Sequence, residues 1–307
     1  MNKNKEHLFF ENFIQNATHQ GPIYALDQDK HFYYSASADK YVARWNKADL
    51  SQDPFVVRCS HAPFSLLVLA NLNLLVIGLQ DGQIHIINTR DKRELKHIKV
   101  HRAAVFVIVH NEHKNHFYTA DSEGLVCIWD ENWKLLLQQP LSCGKIRQIL
   151  ISKDGASIWL ACADGTARQL DTIYFNEIQQ IKAHSDACTS LTLLTDGGFI
   201  SAGKDAFIRR WSAEGKKLNA FAAHLGTIYK LIQINVNLYA SASRDKTIKI
   251  WQLSDDRIVQ KLDFKHAGHS NSINALIPTS KGFLSAGDDK RIIEWRQTKP
   301  KDVNFES

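Results

Sequence analysis

The feature that most constrains this chain is a phrase that returns seven times at a nearly fixed interval. A tryptophan, or an aliphatic residue in its place, stands at Trp45, Ile87, Trp129, Leu170, Trp211, Trp251 and Trp295, spaced by 42, 42, 41, 41, 40 and 44 residues. Six residues before each is an acid: Asp39, Asp81, Glu123, Asp164, Asp205, Asp245 and Asp289. Twenty to twenty-two residues further upstream stands His19, His61, His101, Ser142, His184, His224 or His269. Between these markers run short apolar or alternating stretches such as "LYASAS" and "TIKIW", broken by turn residues, which predicts strands and no long amphipathic helix. A unit of about 41 residues holds four short strands, and one such sheet cannot bury both faces alone, so the units must pack on one another.

The seventh residue after the histidine position is aliphatic in every unit: Leu26, Val68, Ile108, Ile149, Leu191, Leu231 and Leu276. The fourth is apolar in all but one, Ser65 being the exception. A three-residue gap between two buried positions breaks the two-residue period of a strand and predicts a β-bulge there.

Histidine, acid and tryptophan at these spacings resemble the WD40-repeat family, although only Trp129-Asp130 keeps the literal WD pair and only Gly268-His269 the GH pair. The resemblance covers roughly residues 5–297. It implies an all-β fold, a closed seven-bladed β-propeller of four-stranded antiparallel blades around a channel. It also implies that each histidine lies between outer strand d of one blade and inner strand a of the next, each acid in a b–c turn and each tryptophan on strand c. The segment "HLFFENFIQNATH" before His19 is similar to those preceding the other histidines, and little sequence follows Trp295. The N-terminal strand is therefore expected to complete the last blade and remove an open sheet edge. Residues 1–307 are read as a single domain with an irregular tail from about 298.

Four residues before each acid stand Ser35, Ile77, Thr119, Leu160, Ser201, Ser241 and Ser285. The five units with tryptophan carry a hydroxyl here, and the two without it, marked by Ile87 and Leu170, do not. A buried indole N–H needs an acceptor; a hydroxyl can accept it and donate onward to histidine, which donates to the acid. Five internal networks are thus predicted: His19, Ser35, Asp39 and Trp45; His101, Thr119, Glu123 and Trp129; His184, Ser201, Asp205 and Trp211; His224, Ser241, Asp245 and Trp251; His269, Ser285, Asp289 and Trp295. Serine, histidine and acid could also form a nucleophilic triad. Five copies that covary with a tryptophan argue for a brace, so no catalytic residue is expected.

The remaining signals are weaker. His110, His113 and His116 in "HNEHKNH" are read as a hairpin turn in preference to a metal site, and no Walker or dinucleotide glycine motif is present, so neither metal nor cofactor is expected. The five cysteines are odd in number, lack a C-x-x-C pair and sit mostly in apolar runs, which suits reduced thiols. With no signal-peptide core at "MNKNKEHLFFENFIQ", a cytoplasmic location is expected. A net charge of +6 over 307 residues is mildly basic and does not by itself favour nucleic acid or membrane.

If the blades run as in the family, the third and fifth residues after each histidine and the residue before each acid surround the channel mouth. These positions supply the aromatics Tyr24, Phe64, Phe106 and Tyr229 and the cations Lys145, Arg147, Lys204 and Arg244. Aromatics and arginines are the residue types that dominate binding energy. The expected function is a non-enzymatic scaffold, monomeric on its own, that binds a protein or peptide partner, the sharper form being an acidic or phosphorylated peptide. The alternative is nucleic acid or anionic lipid bound by the basic residues of blades four to six.

Overall fold

Residues 9–17 and 19–298 are described by a computed structural model, in which strands β1 (Phe9–Ala17) to β28 (Arg291–Thr298) form seven four-stranded antiparallel sheets. Each sheet is one blade. Its innermost strand, a, is β2 (Ile23–Gln28), β6 (Pro63–Leu69), β10 (Val105–Asn111), β14 (Ile146–Ile151), β18 (Cys188–Leu193), β22 (Ile228–Gln233) or β26 (Ile273–Thr279). Neighbouring inner strands touch in sequence, and β26 returns to β2, so the ring of seven blades is closed.

Closure uses both ends of the chain. The last sheet runs β1-β28-β27-β26, where β27 is Gly282–Gly287, and β1 pairs antiparallel with β28 from Phe9↔Thr298 to Ala17↔Arg291. The expected N-terminal completion of blade 7 is therefore present. Phe10 is buried beside Phe283, with ring centroids 5.3 Å apart. The Gln260 amide accepts from the Phe10 N–H at 2.8 Å and donates to its carbonyl at 2.9 Å, holding β1 as a neighbouring strand would. Of the tail expected to be irregular, Thr298 ends β28 and the rest lies outside the described residues.

Apolar residues at alternate positions of the middle strands point into the gaps between blades. Each of the seven inter-blade gaps holds its own cluster, for example Phe10, Ile248, Ile250, Phe283 and Trp295 between blades 6 and 7, and Ile200, Ile208, Tyr239 and Trp251 between blades 5 and 6. This is the burial that a lone blade could not achieve. All five cysteines are free and buried in it.

The predicted bulge occurs in every inner strand, between Ile23/Ala25, Pro63/Ser65, Val105/Val107, Ile146/Gln148, Cys188/Ser190, Ile228/Lys230 and Ile273/Ala275. Blade 2 differs in register from the sequence reading. Its bulged residue is Phe64, three after His61, whereas the spacing is five in the blades that begin after His19, His101, His184, His224 and His269. The loop ahead of β6 is shorter, so Pro63 and Leu66 take the two buried positions assigned by counting to Ser65 and Val68.

Candidate functional site: the channel mouth

The residues that hold the mouth in shape are the repeated polar networks. In five blades the indole Nε1–H donates to the Ser or Thr hydroxyl at 2.7–2.9 Å, at Trp45–Ser35, Trp129–Thr119, Trp211–Ser201, Trp251–Ser241 and Trp295–Ser285. The same hydroxyl lies 2.7–2.9 Å from the histidine Nε2 in each case. Nδ1 lies 2.8–2.9 Å from a carboxylate: Asp39, Asp121, Asp205, Asp245 and Asp289 for His19, His101, His184, His224 and His269. With the indole as donor at one end and the carboxylate as acceptor at the other, the proton on imidazole belongs on Nδ1. Burial is the largest influence on His19, His184 and His224 and pushes each down despite its aspartate, which suits a neutral ring. Burial pushes the Asp39, Asp205, Asp245 and Asp289 carboxyls up, but the hydrogen bonds from histidine and backbone outweigh it, leaving all four below the usual carboxylate range and Asp289 at about 2.

One member of these networks was misassigned by counting. Glu123 is exposed and makes no bond to His101; the partner is Asp121, two residues earlier, at 2.9 Å. In blade 1 two residues divide the work of the turn: the Ser37 hydroxyl accepts from the Asp39 N–H and the Asp39 carboxylate from Tyr41 N–H. In blade 3 the Asp121 carboxylate accepts both equivalent bonds, from Glu123 and Leu125, and still reaches the histidine. The legible signal was an aspartate at the Ser37 position in the one unit whose acid is glutamate.

Around the mouth, the bulged residues of the inner strands form a continuous arc. Tyr24 stacks on Phe64 with centroids 4.7 Å apart, and Phe64 on Phe106 at 4.8 Å. The Lys145 ammonium lies 4.3 Å from the Phe106 centroid, and the Arg147 guanidinium 5.4 Å from both Phe106 and Tyr229. All six line one cavity of about 720 Å³ on the channel axis, together with Asn274 and Asp288. Among the described residues neither Lys145 nor Arg147 has a carboxylate partner within ion-pair distance. Burial pushes both down, and the Arg147 charge pushes Lys145 further.

The other two candidate cations are elsewhere. Lys204 is paired with Asp186 at 3.0 Å on an exposed surface, and Arg244 is exposed in a b–c turn; neither lines the cavity. The nearby basic residues Arg168, Arg209 and Arg210 are likewise paired, with Asp164, Asp205 and Asp256. His110 stacks on Phe117 at 4.5 Å, and among the described residues no group of three metal-ligating side chains is arranged to hold an ion.

Sequence reasoning gave no role to the polar side chains that stitch one inner strand to the next. Gln148 bonds both backbone groups of Leu191 at 2.9 and 3.1 Å, the Ser190 hydroxyl accepts from Leu231 N–H at 2.9 Å, and the Asp27 carboxylate accepts from Val68 N–H at 2.7 Å. Asn274 donates to the Ile23 carbonyl at 3.0 Å and to Asp288 at 2.7 Å, joining blade 7 to blade 1. Their signal was a polar residue at an inner-strand position that is mostly apolar or small in the other units.

Comparison with known proteins agrees with this geometry. The WD40 family model, described as WD domain, G-beta repeat, matches residues 175–212, 215–252 and 260–296. The chain is 23% identical over 255 residues to a WD repeat-containing protein of Schizosaccharomyces pombe, covering 76% of this chain and 68% of that one. It is 37% identical over 76 residues to the ubiquitin homeostasis protein lub1 of the same yeast, covering 24% of this chain and 10% of the relative. It is 28% identical over 129 residues to human pre-mRNA-processing factor 17, covering 40% of this chain and 22% of the relative. The chain thus spans only a minor part of the latter two.

Proposed function

The chain is a WD40-repeat β-propeller, and from that premise we propose that it is a non-enzymatic interaction scaffold whose channel mouth binds a peptide carrying an acidic or phosphorylated group. The observation that carries this reading is the pair Lys145 and Arg147, two half-buried cations beside the same aromatic ring with no carboxylate partner among the described residues. Two like charges held together away from bulk water repel, and an anion supplied from outside relieves both the repulsion and the lost hydration. Arg147 offers a planar fork suited to carboxylate or phosphate, and the neighbouring rings offer apolar area.

Catalysis by the repeated networks finds no support in their burial. The five hydroxyl side chains are 0% exposed and the histidines at most 5%, and each hydroxyl is already committed to an indole. The arginines neutralised in blades 4 and 5 favour a discrete peptide over a polyanion, which would need an open basic surface.

The test is capture of fluorescent synthetic peptides with a central phosphoserine or glutamate from a degenerate library. Arg147→Glu is expected to lower capture by at least tenfold, and Arg244→Glu, outside the cavity, to leave it within about twofold. Equal capture by wild type and Arg147→Glu would refute the reading.

A further inference from the structure

The mouth is not uniformly positive: the Lys145 and Arg147 pair and the Asp288 carboxylate lie on opposite sides of the ring. Lys145 and Arg147 belong to blade 4, while Asp288 belongs to blade 7 and sits at the end of the arc that begins with Tyr24 in blade 1. Asp288 is positioned: its Oδ1 accepts from Asn274 Nδ2 at 2.7 Å, and the same amide nitrogen is tied to the Ile23 carbonyl. Its Oδ2 has no hydrogen bond or ion pair among the described residues. Tyr24 is close enough for the Asp288 charge, after burial, to push its phenol up. One face of Tyr24 is covered by Phe64, and among the described residues no aromatic ring or cation stacks on the other. A carboxylate oxygen without a partner beside an aromatic face that no other ring or cation occupies is the chemistry that takes an ammonium or guanidinium group.

We infer that the mouth selects a bipolar peptide: an anionic group at Lys145 and Arg147, and a lysine or arginine side chain between Asp288 and the face of Tyr24 turned away from Phe64. This rests on the peptide reading above and narrows it. The stack Tyr24, Phe64 and Phe106 runs between the two poles, with steps of 4.7 and 4.8 Å and a last step of 4.3 Å to Lys145. An extended chain advances roughly 3.3–3.6 Å per residue, so the two charged side chains should stand about three or four residues apart. The rings between them would lie against the intervening peptide. A ligand with anionic groups alone would leave Asp288 unpaired and would be repelled by it.

The experiment is a positional-scanning library of synthetic peptides with fixed phosphoserine, with bound peptides sequenced from wild type, Asp288→Asn, Tyr24→Leu and Arg147→Glu proteins. Wild type is expected to enrich lysine or arginine about tenfold at one position three or four residues from the phosphoserine. Asp288→Asn, whose amide oxygen can still accept from Asn274, should bring that enrichment to parity while retaining phosphoserine-dependent capture. Tyr24→Leu should reduce it severalfold. Cation enrichment undiminished in Asp288→Asn, or none in wild type while Arg147-dependent capture persists, overturns the bipolar inference and leaves the anion reading standing. Absence of any Arg147-dependent capture overturns both.

Discussion

In blade 6 the Trp251 indole donates to Ser241, whose hydroxyl meets His224, whose ring meets Asp245, all within 2.9 Å steps. In blade 2 the places of tryptophan and serine are taken by Ile87 and Ile77, both buried, and the histidine that remains, His61, is half-exposed, meeting Asp81 at 3.0 Å and the exposed Ser60 hydroxyl at 3.3 Å in place of a buried one. Blade 4 follows blade 2: Leu170 and Leu160 are buried, and Asp164 turns to Thr166 and Arg168. Both arrangements hold a b–c turn against a d–a loop. The difference teaches that the polar brace is a unit, because a buried group left without its partner costs about 1–3 kcal/mol, more than the roughly 0.5–1.5 kcal/mol that a made bond contributes. A blade keeps the whole chain of bonds or replaces its core with aliphatic packing.

The comparison can be broken most severely by removing what both kinds of blade depend on, the closed ring. Deleting residues 1–18 takes away β1 and its buried Phe10, and burial of an aromatic ring alone is worth about 3–5 kcal/mol. The expected outcome is loss of a single cooperative unfolding transition and aggregation through the uncovered edge of β28, read by calorimetry and light scattering. A truncated protein as soluble and as thermostable as the full chain would contradict the clasp.

Within a braced blade, Ser241→Ala should cost about 2–6 kcal/mol, because it strands both the Trp251 N–H and the His224 ring, each at about 1–3 kcal/mol. Trp251→Phe should cost less, since Ser241 keeps its bond to histidine. Chemical denaturation measures both. Ile77→Ser in blade 2 is the converse: a new buried hydroxyl with no indole to accept from, expected to destabilise rather than to create a brace.

Through the buried histidines, acid should separate the two kinds of blade as well. For His19, His184 and His224 the folded-state pKa lies below 6.5, so the unfolded chain binds more protons and stability begins to fall as pH drops below about 6.5. The braced carboxyls Asp205, Asp245 and Asp289 are also held below 3.8, so their contribution is present above that value and is lost as pH falls through their folded pKa. Both steps have the same sign. A protein in which His184 and His224 are replaced by glutamine should be less stable at pH 7 and show a flatter decline between pH 6.5 and 5; an unchanged slope in a denaturation series would count against neutral, buried rings.

Much of this was legible because it rests on period. The number of blades, the inner-strand bulge and the closing strand follow from apolar spacing that must repeat if each gap between blades is to be filled, as at Leu26, Leu231 and Leu276. Counting fails where a loop changes length or a side chain reaches differently. Phe64 reached the right arc by an offset that was wrong, because the loop after His61 is short. Lys204 and Arg244 stood at plausible offsets, yet one is held by Asp186 and neither lines the cavity on the axis, which no spacing reveals. Asp288 became informative only when its free oxygen and its neighbour Tyr24 were seen together.

The smallest expected effects fall on the two residues that resemble the brace without belonging to it. Glu123 occupies the acid position of blade 3 but is exposed, and Glu123→Gln should change stability by no more than about 0.5 kcal/mol, the range of surface substitutions. Asp121→Asn in the same turn should cost several times as much, since it weakens the bond to His101 and two turn bonds together. His61→Ala belongs with Glu123: an imidazole–carboxylate contact half open to solvent contributes about 0–1 kcal/mol, whereas His224→Ala breaks a buried chain. If denaturation midpoints placed His61 and His224 on equal footing, the division into braced and aliphatic blades would fail, because a histidine with no buried hydroxyl or indole behind it would contribute as much as one that has both.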